Sequence, residues 1–116
     1  MEEKKMYSLE YLKEISGGDE KFIDEMLHDF VNDVPEVLEE IGRYEKEGAW
    51  DQVYSSVHKF APTLAFVGLH STDPEIDRIE YLAKNSLQVD EIRALLEKVF
   101  SVVNDTIDQI KKDFNL

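Results

Sequence analysis

The spacing of apolar residues is the feature of this sequence that most constrains its fold. Between about residue 90 and residue 114, apolar side chains recur every three or four positions, at Ile92, Leu95, Leu96, Val99, Val103, Ile107, Ile110 and Phe114. Such spacing places them on one face of an amphipathic helix. Similar patterns cover most of the chain, and no stretch of useful length alternates as a strand would. The pattern therefore predicts an all-α protein.

Residues that start or stop helices divide this pattern into segments. The expected starts are Ser8, Asp19, Pro35, Trp50, Asp73 with Pro74, and residue 90, and the expected ends are residue 15, residue 34, Gly48, Val67, residue 87 and residue 114. Pro35 should break or kink the run that begins at Asp19, because proline lacks a backbone donor. Short loops favour antiparallel neighbours. We therefore expect one domain over residues 1–116, an up-and-down antiparallel four-helix bundle with additional short N-terminal helix or helices.

Charge and cysteine content exclude several classes of function. The 116 residues include 26 acidic and 13 basic side chains, for a formal net charge of −13. This charge would repel nucleic-acid phosphates and anionic lipid, so neither nucleic acid nor membrane is an expected partner. The chain has no cysteine, which excludes disulfides and thiolate metal ligands. Since no apolar run reaches membrane-spanning length, we expect a cytoplasmic location. We expect a monomer, because the apolar pattern is that of one complete bundle.

The three histidines are the candidate sites for chemistry. His28 and His70 form no cluster of metal ligands, so no metal or other cofactor is expected on this chain. His58 is surrounded on its own helix face by Tyr54, Ala61, Pro62 and Ala65. The small residues Ala61, Pro62 and Ala65 should leave the imidazole approachable, although the helix pattern alone also fits a partly buried histidine at the edge of the core.

Pro62 lies four residues after His58, inside the apolar pattern of the same helix. It lacks the N–H that would donate to the carbonyl of His58, and its ring clashes with that carbonyl. The sequence therefore predicts a distorted helix at the backbone of His58.

Several of these features occur in a recognisable order. The segments SLEYLKEISGGDEKFIDEMLHDF, EGAWDQVYSSVHKFAPTLAFVGL and IDRIEYLAK follow one another along the chain. Together they resemble a histidine-containing phosphotransfer (HPt) domain over almost the whole sequence. The markers are the SGGD opening, the Gly-Ala-Trp entry to the histidine helix, His58, Gly68 ten residues later and Glu80 twenty-two residues later.

The resemblance implies a phosphocarrier of two-component phosphorelays. An HPt domain relays a phosphoryl group between aspartates of receiver domains and is neither an ATPase nor a kinase. The implied partners are response-regulator receiver domains or a hybrid sensor kinase, and the magnesium ion would be held by the receiver. His58 would accept the phosphoryl group, while Glu80 would bond the other ring nitrogen and fix the tautomer. Glu80 could equally be a surface carboxylate paired with Lys84.

Two positions depart from the family's pattern. The family usually has lysine three residues after the histidine and glycine at the fourth, where this chain has Ala61 and Pro62. The missing lysine bears on the rate of transfer, and Lys59 or Lys84 could supply part of its positive charge. The expected docking surface consists of Tyr54, Ala61, Pro62, Ala65 and Gly68, joined by Tyr11 and Leu12 of the first helix.

Two other functions stay open on the sequence alone. Because Ala61 and Pro62 replace the usual pair, the chain could be a degenerate HPt-like module that binds a receiver or kinase without accepting a phosphoryl group. It could also be an unrelated acidic helical-bundle adaptor in which His58 is structural. Burial of the His58 ring would favour the adaptor.

Overall fold

The computed structural model describes residues 5–116, and all regular secondary structure in that range is helical. The helices are α1 (Glu10–Ser16), α2 (Glu20–Lys46), α3 (Trp50–Phe66), α4 (Asp73–Lys84) and α5 (Val89–Phe114). The prediction of an all-α protein is confirmed. None of the helices described is long and apolar enough to cross a membrane.

The four longer helices enclose the core. Each packs against the next along the chain, α5 also packs against α2, and α1 packs against α2. The most deeply buried apolar side chains come from all five helices and include Leu12, Leu27, Ile41, Val53, Val57, Ile79, Leu82, Ile92 and Ile110. Removing this apolar surface from water is the main favourable contribution to folding.

Helix α2 continues through Pro35, so the predicted break near residue 34 is wrong. Pro35 is exposed, whereas Val34 and Leu38 on either side of it are buried. A proline in a helix interior costs about 3 kcal/mol, and burying a single Val or Leu side chain contributes about 1.5–3 kcal/mol. The continuous apolar face of α2 therefore outweighs the lost hydrogen bond.

Pro62 lies inside α3 in the same way. The helix is unbroken from Trp50 to Phe66, and Phe60 and Leu64 are buried on either side of the exposed proline. Pro62 therefore removes one backbone donor without ending the helix.

The starts of α1 and α4 differ from the sequence prediction. Leu9 rather than Ser8 precedes α1, and Thr72 precedes α4, with no capping hydrogen bond from either side chain. Asp73 is the first residue of α4 rather than its cap. Helix α4 also ends at residue 84 rather than near residue 87, because Ser86 has a positive φ of 52°, which a right-handed helix cannot include.

The turn between α1 and α2 was predicted correctly. Gly17 ends α1 in the left-handed conformation, with φ of 65°, which glycine adopts without steric cost. Asp19 then caps α2, because its carboxylate accepts hydrogen bonds from the backbone N–H groups of Lys21 at 3.0 Å and Phe22 at 3.2 Å.

The segment before α1 is anchored to α5 and to the end of α3. The backbone N–H of Met6 donates to Oε1 of the buried Gln109 at 2.7 Å, and that of Ser8 donates to the carbonyl of Val67 at 2.7 Å. Gly68 has φ of +65°, and a Cβ there would lie 2.7 Å from the Cβ of Ser8. These contacts hold α1 beside the C-terminal part of α3.

Candidate functional site

The ring of His58 stands at the surface with one nitrogen held and the other open. Its Nδ1 lies 2.9 Å from Oε1 of Glu80, a residue of α4, the helix that follows α3 and packs against it. The His58 side chain is 68% exposed and the Glu80 side chain 21%. Since a carboxylate only accepts, the hydrogen in this contact belongs to Nδ1. A neutral ring in this tautomer has its free lone pair on Nε2.

Tyr54 packs against the same imidazole from one turn earlier in α3. The two ring centroids are 5.7 Å apart and the ring planes meet at 16°, a stacked arrangement. Tyr54 is half-buried and packs against the core. The stacked ring and the hydrogen bond to Glu80 together restrict the rotation of the imidazole, which fixes the direction of Nε2.

Lys84 lies beside the ring of Tyr54. Its Nζ is 5.8 Å from the centroid, within the range of a cation–π interaction. Lys84 follows Glu80 by one turn of α4, and Tyr54 precedes His58 by one turn of α3. The described residues include no ion pair between Glu80 and Lys84, because Glu80 contacts His58 and Lys84 contacts Tyr54.

Lys59 faces a different helix. Although it follows His58 directly, its position is rotated about 100° around α3. Its side chain lines a cavity of about 190 Å³ together with Val37, Glu40 and Phe60. Since Val37 and Glu40 belong to α2, the structure separates Lys59 from the side of α3 on which Glu80 lies.

The exposed surface continues from the candidate histidine toward α1. Pro62 and Ala65 are exposed, and Ala61 is half-buried. Pro62 and Ala65 line an open cavity of about 500 Å³ with Tyr11 and Phe66. The rings of Tyr11 and Phe66 meet edge to face with centroids 5.4 Å apart. Charged residues of α1 and His70 also line this cavity, so the surface that runs from α3 to α1 is partly apolar and partly polar.

Leu12 and Gly68 have structural roles that the sequence did not predict. Leu12 is fully buried, at 0% exposure, because it lies on the inner face of α1. Its assignment to the docking surface is therefore wrong. Gly68 borders the cavity next to α1, but the need for glycine at this position comes from Ser8, whose backbone N and O would lie 3.0 Å from a Cβ.

The other two histidines lack both a carboxylate partner from a second helix and a stacked aromatic ring. His70 has Nδ1 3.1 Å from Oδ2 of Asp73, but the two side chains are 64% and 57% exposed and lie three residues apart. His28 lies 3.6 Å from Asp24 on the outer face of α2. Only His58, among these three, has both a carboxylate from a second helix and an aromatic ring stacked on it.

The arrangement offers a nucleophile rather than a metal site. No group of three or more His, Asp or Glu side chains within residues 5–116 is placed to hold a metal ion. What the site presents is an exposed, oriented Nε2 beside a stacked tyrosine and a lysine. Such a nitrogen can attack an electrophile that a docking partner brings to it.

Two features of the site were missed in the sequence. Phe66 completes the surface beside Tyr11, and its position one turn after Pro62 was the available signal. The pair of His70 and Asp73 was also missed, although their spacing of three residues permits contact.

No protein-family model, no curated protein and no solved structure matches this chain. Its function is therefore inferred from the geometry around His58 together with the resemblance in the sequence.

Proposed function

We propose that the protein is a phosphorelay intermediate of the HPt type. His58 accepts a phosphoryl group from the aspartyl phosphate of one receiver domain and donates it to the aspartate of another. The distance of 2.9 Å between His58 Nδ1 and Glu80 Oε1 supports this proposal most directly. In this proposal the hydrogen of the neutral ring is on Nδ1, where Glu80 accepts it, and Nε2 is the nucleophile.

The proposal includes a finer description of the fold. Helices α2 to α5 form an up-and-down antiparallel four-helix bundle, and α1 is the additional short helix. The closed ring of helix contacts supports this description. The contacts of α3 with α4 also support it. Tyr54 contacts Lys84 and His58 contacts Glu80, so the residue numbers rise along α3 as they fall along α4, as in two antiparallel helices.

The transfer step is an in-line displacement at phosphorus. The lone pair of His58 Nε2 forms the N–P bond, while the P–O bond to the receiver's aspartate breaks and its electron pair leaves on the carboxylate. The phosphorylated ring then bears a positive charge, which Glu80 stabilises through the hydrogen bond from Nδ1. Donation to the next receiver reverses these bond changes, so no proton has to leave the ring.

Orientation is the reason to assign this role to His58 rather than to His70. Positioning and charge neutralisation supply most of the catalysis in phosphoryl transfer. The partner of His58 lies on another helix and is mostly buried, whereas the partner of His70 lies on the same short stretch and is mostly exposed. The imidazole of His58 is therefore held in a more fixed direction.

The proposed partner is a receiver domain, either separate or part of a hybrid sensor kinase. It supplies the magnesium ion, and this protein acts as a phosphocarrier without ATPase or kinase activity. The exposed Pro62, Ala65 and Tyr11 provide the apolar part of the docking surface. Transient signalling contacts are often below about 1,200 Å², which suits a surface of this kind. The proposal includes a cytoplasmic location, where such partners act, and a monomer, because the contacts of α2 to α5 close one bundle.

Phosphoryl uptake from a panel of ³²P-labelled receiver domains tests the proposal. We expect an acid-labile, alkali-stable label on the parent and on His70→Gln, and none on His58→Gln. His70 is the matched control, because its ring is 64% exposed and also contacts a carboxylate. Receiver binding without any label would favour a degenerate docking module. Neither label nor binding would favour an unrelated helical adaptor.

A further inference from the structure

In the proposed transfer, the imidazole of His58 changes from a neutral ring to a cationic one. Phosphorus is added at Nε2 while the hydrogen on Nδ1 stays in place, bonded to Glu80 at 2.9 Å. Phosphorylation therefore creates one positive charge that is shared over the ring. A contact that favours a cationic ring over a neutral one shifts the equilibrium toward the phosphorylated form.

Tyr54 provides a contact of this kind. Its ring centroid lies 5.7 Å from that of His58, and the two ring planes are inclined by 16°. The face of an aromatic ring is negative because of its π electrons, and a cation within about 6 Å of the centroid is attracted to it. The side chain of Tyr54 also packs against the hydrophobic core, which holds its ring in this position.

The stack and the hydrogen bond act on different parts of the same imidazole. The Nδ1–H bond points outward in the plane of the ring toward Glu80, whereas Tyr54 lies against the face of the ring. Nε2 stays open to a partner, since the side chain of His58 is 68% exposed. Because Ala61 replaces the lysine that the family usually has, a stabilising contact with the ring itself has added importance in this chain.

We propose that the face of Tyr54 stabilises the cationic, phosphorylated imidazole of His58 and so shifts the phosphoryl-transfer equilibrium toward this protein. This inference rests on the proposed function, to which it adds a residue that sets how much of the phosphoryl group His58 retains. His70 is the natural comparison, because its Nδ1 also lies near a carboxylate, 3.1 Å from Oδ2 of Asp73. Within residues 5–116, no aromatic ring is stacked on His70.

Exchange with N-phosphoimidazole measures this equilibrium without a receiver domain. The histidine nitrogen attacks phosphorus and forms a new N–P bond, while the N–P bond of the reagent breaks and its electron pair leaves on neutral imidazole. Each side of the exchange has one cationic phosphorylated ring and one neutral ring, so no proton is gained or lost. With free imidazole present, the reaction runs in both directions until the ratio of label on His58 to label on His70 is constant. Mass spectrometry of peptides kept at alkaline pH gives this ratio.

Fluorination of the ring at residue 54 separates its charge distribution from its shape. We expect Tyr54→Phe to keep the parent ratio, because the aromatic face remains. Phenylalanines that carry one, three or five fluorine atoms, incorporated at the same position, have a less negative face and should lower the ratio step by step. Tyr54→Leu removes the face and should lower the ratio about two- to fivefold, the effect of a cation–π contact at an exposed site.

Tyr81→Leu is the matched control. Tyr81 follows Glu80 directly on α4 and is exposed, but its ring lies beside Arg78. Its replacement should leave the ratio unchanged. An equal loss in Tyr81→Leu and Tyr54→Leu would overturn the inference. So would an unchanged ratio across the fluorinated series, even if Tyr54→Leu lowered it, because Tyr54 would then act through packing alone.

The receiver assay of the parent protein separates this inference from the proposed function. If receivers label His58 and the ratio is insensitive to fluorination, the relay stands and the role of Tyr54 fails. If no receiver labels the protein but the ratio follows fluorination, the role of Tyr54 stands and the relay fails. Label from N-phosphoimidazole on His70 alone would overturn the inference, because a stabilised ring cannot be the less phosphorylated one.

Discussion

Glu80 and His58 lie 22 residues apart in the sequence and 2.9 Å apart in the structure. The contact joins α3 to α4, which pack against each other. The carboxylate is mostly buried while the imidazole is mostly exposed. The contact therefore orients the ring without covering it, which is the arrangement that a nucleophilic nitrogen requires.

Replacing Glu80 tests this orienting role. We expect Glu80→Ala to slow single-turnover phosphoryl transfer from a receiver by about 10- to 100-fold, because a freely rotating imidazole is seldom aligned for attack. Asp73→Ala removes the equivalent contact of His70 and should leave the rate unchanged. Equal rates in the parent and in Glu80→Ala would show that the contact does not serve the transfer.

Replacing either of two adjacent residues of α1 with alanine should affect a different property, stability in one case and receiver binding in the other. Leu12 is fully buried and Tyr11 is 46% exposed. Leu12→Ala should lower the free energy of unfolding by about 2–5 kcal/mol in urea titrations. Tyr11→Ala should cost about 1 kcal/mol or less, mainly the ring contact with Phe66, but should weaken receiver binding. If Leu12→Ala were neutral for stability, α1 would not be packed as described.

Gly68 and Gly48 form a matched pair for the close approach of Ser8. Both glycines have positive φ, +65° and +68°, but only at Gly68 would a Cβ clash, at 2.7 Å from Ser8. We expect Gly48→Ala to cost about 1–2 kcal/mol from the left-handed backbone alone. Gly68→Ala should cost about 2–4 kcal/mol, since overpacking adds to the same backbone cost. Equal losses, measured by urea unfolding, would contradict the anchoring of the N-terminal segment.

The ion pair of Glu75 and Lys98 should make stability depend on acid pH. Nζ of Lys98 lies 2.6 Å from Oε1 of Glu75, and this hydrogen bond lowers the pKa of the Glu75 carboxyl below its ordinary value of 4.5. A group with a lowered pKa in the folded state stabilises the protein above the unfolded pKa. That contribution is lost as the pH falls through the folded pKa.

We therefore expect Lys98→Met to be less stable than the parent at pH 7, with a difference that shrinks as the pH falls below about 4.5. Lys111→Met removes another exposed lysine of α5 and should show no such dependence. Urea unfolding from pH 7 to pH 3 measures both. A difference that is constant across this range would contradict the assignment.

The sequence correctly predicted those structural features that are determined by residues close to one another along the chain. Asp19 caps α2 because its own carboxylate reaches the next backbone donors, and the apolar spacing identified the inner faces of the long helices. The break at Pro35 was predicted wrongly, because the local cost of proline competes with burial of Val34 and Leu38 against other helices. That burial depends on tertiary packing, which residue spacing does not give.

The residues of the candidate site were likewise predicted only in part from the sequence. His58 and Glu80 were identified together through their place in a family pattern, and the structure brings them within hydrogen-bond distance. The difference between Lys59 and Lys84 could not be predicted, because it depends on which helix packs against each side of α3. The burial of Leu12 depends likewise on which face of the short α1 meets the core.

The position of the phosphoryl group on the imidazole tests the central claim most directly. NMR spectroscopy of the ¹⁵N-labelled protein, phosphorylated by a receiver domain, reports which nitrogen of which histidine is bonded to phosphorus. The account predicts phosphorus on Nε2 of His58, with a hydrogen retained on Nδ1 by Glu80. Phosphorus on Nδ1 of His58, or on His70, would contradict it.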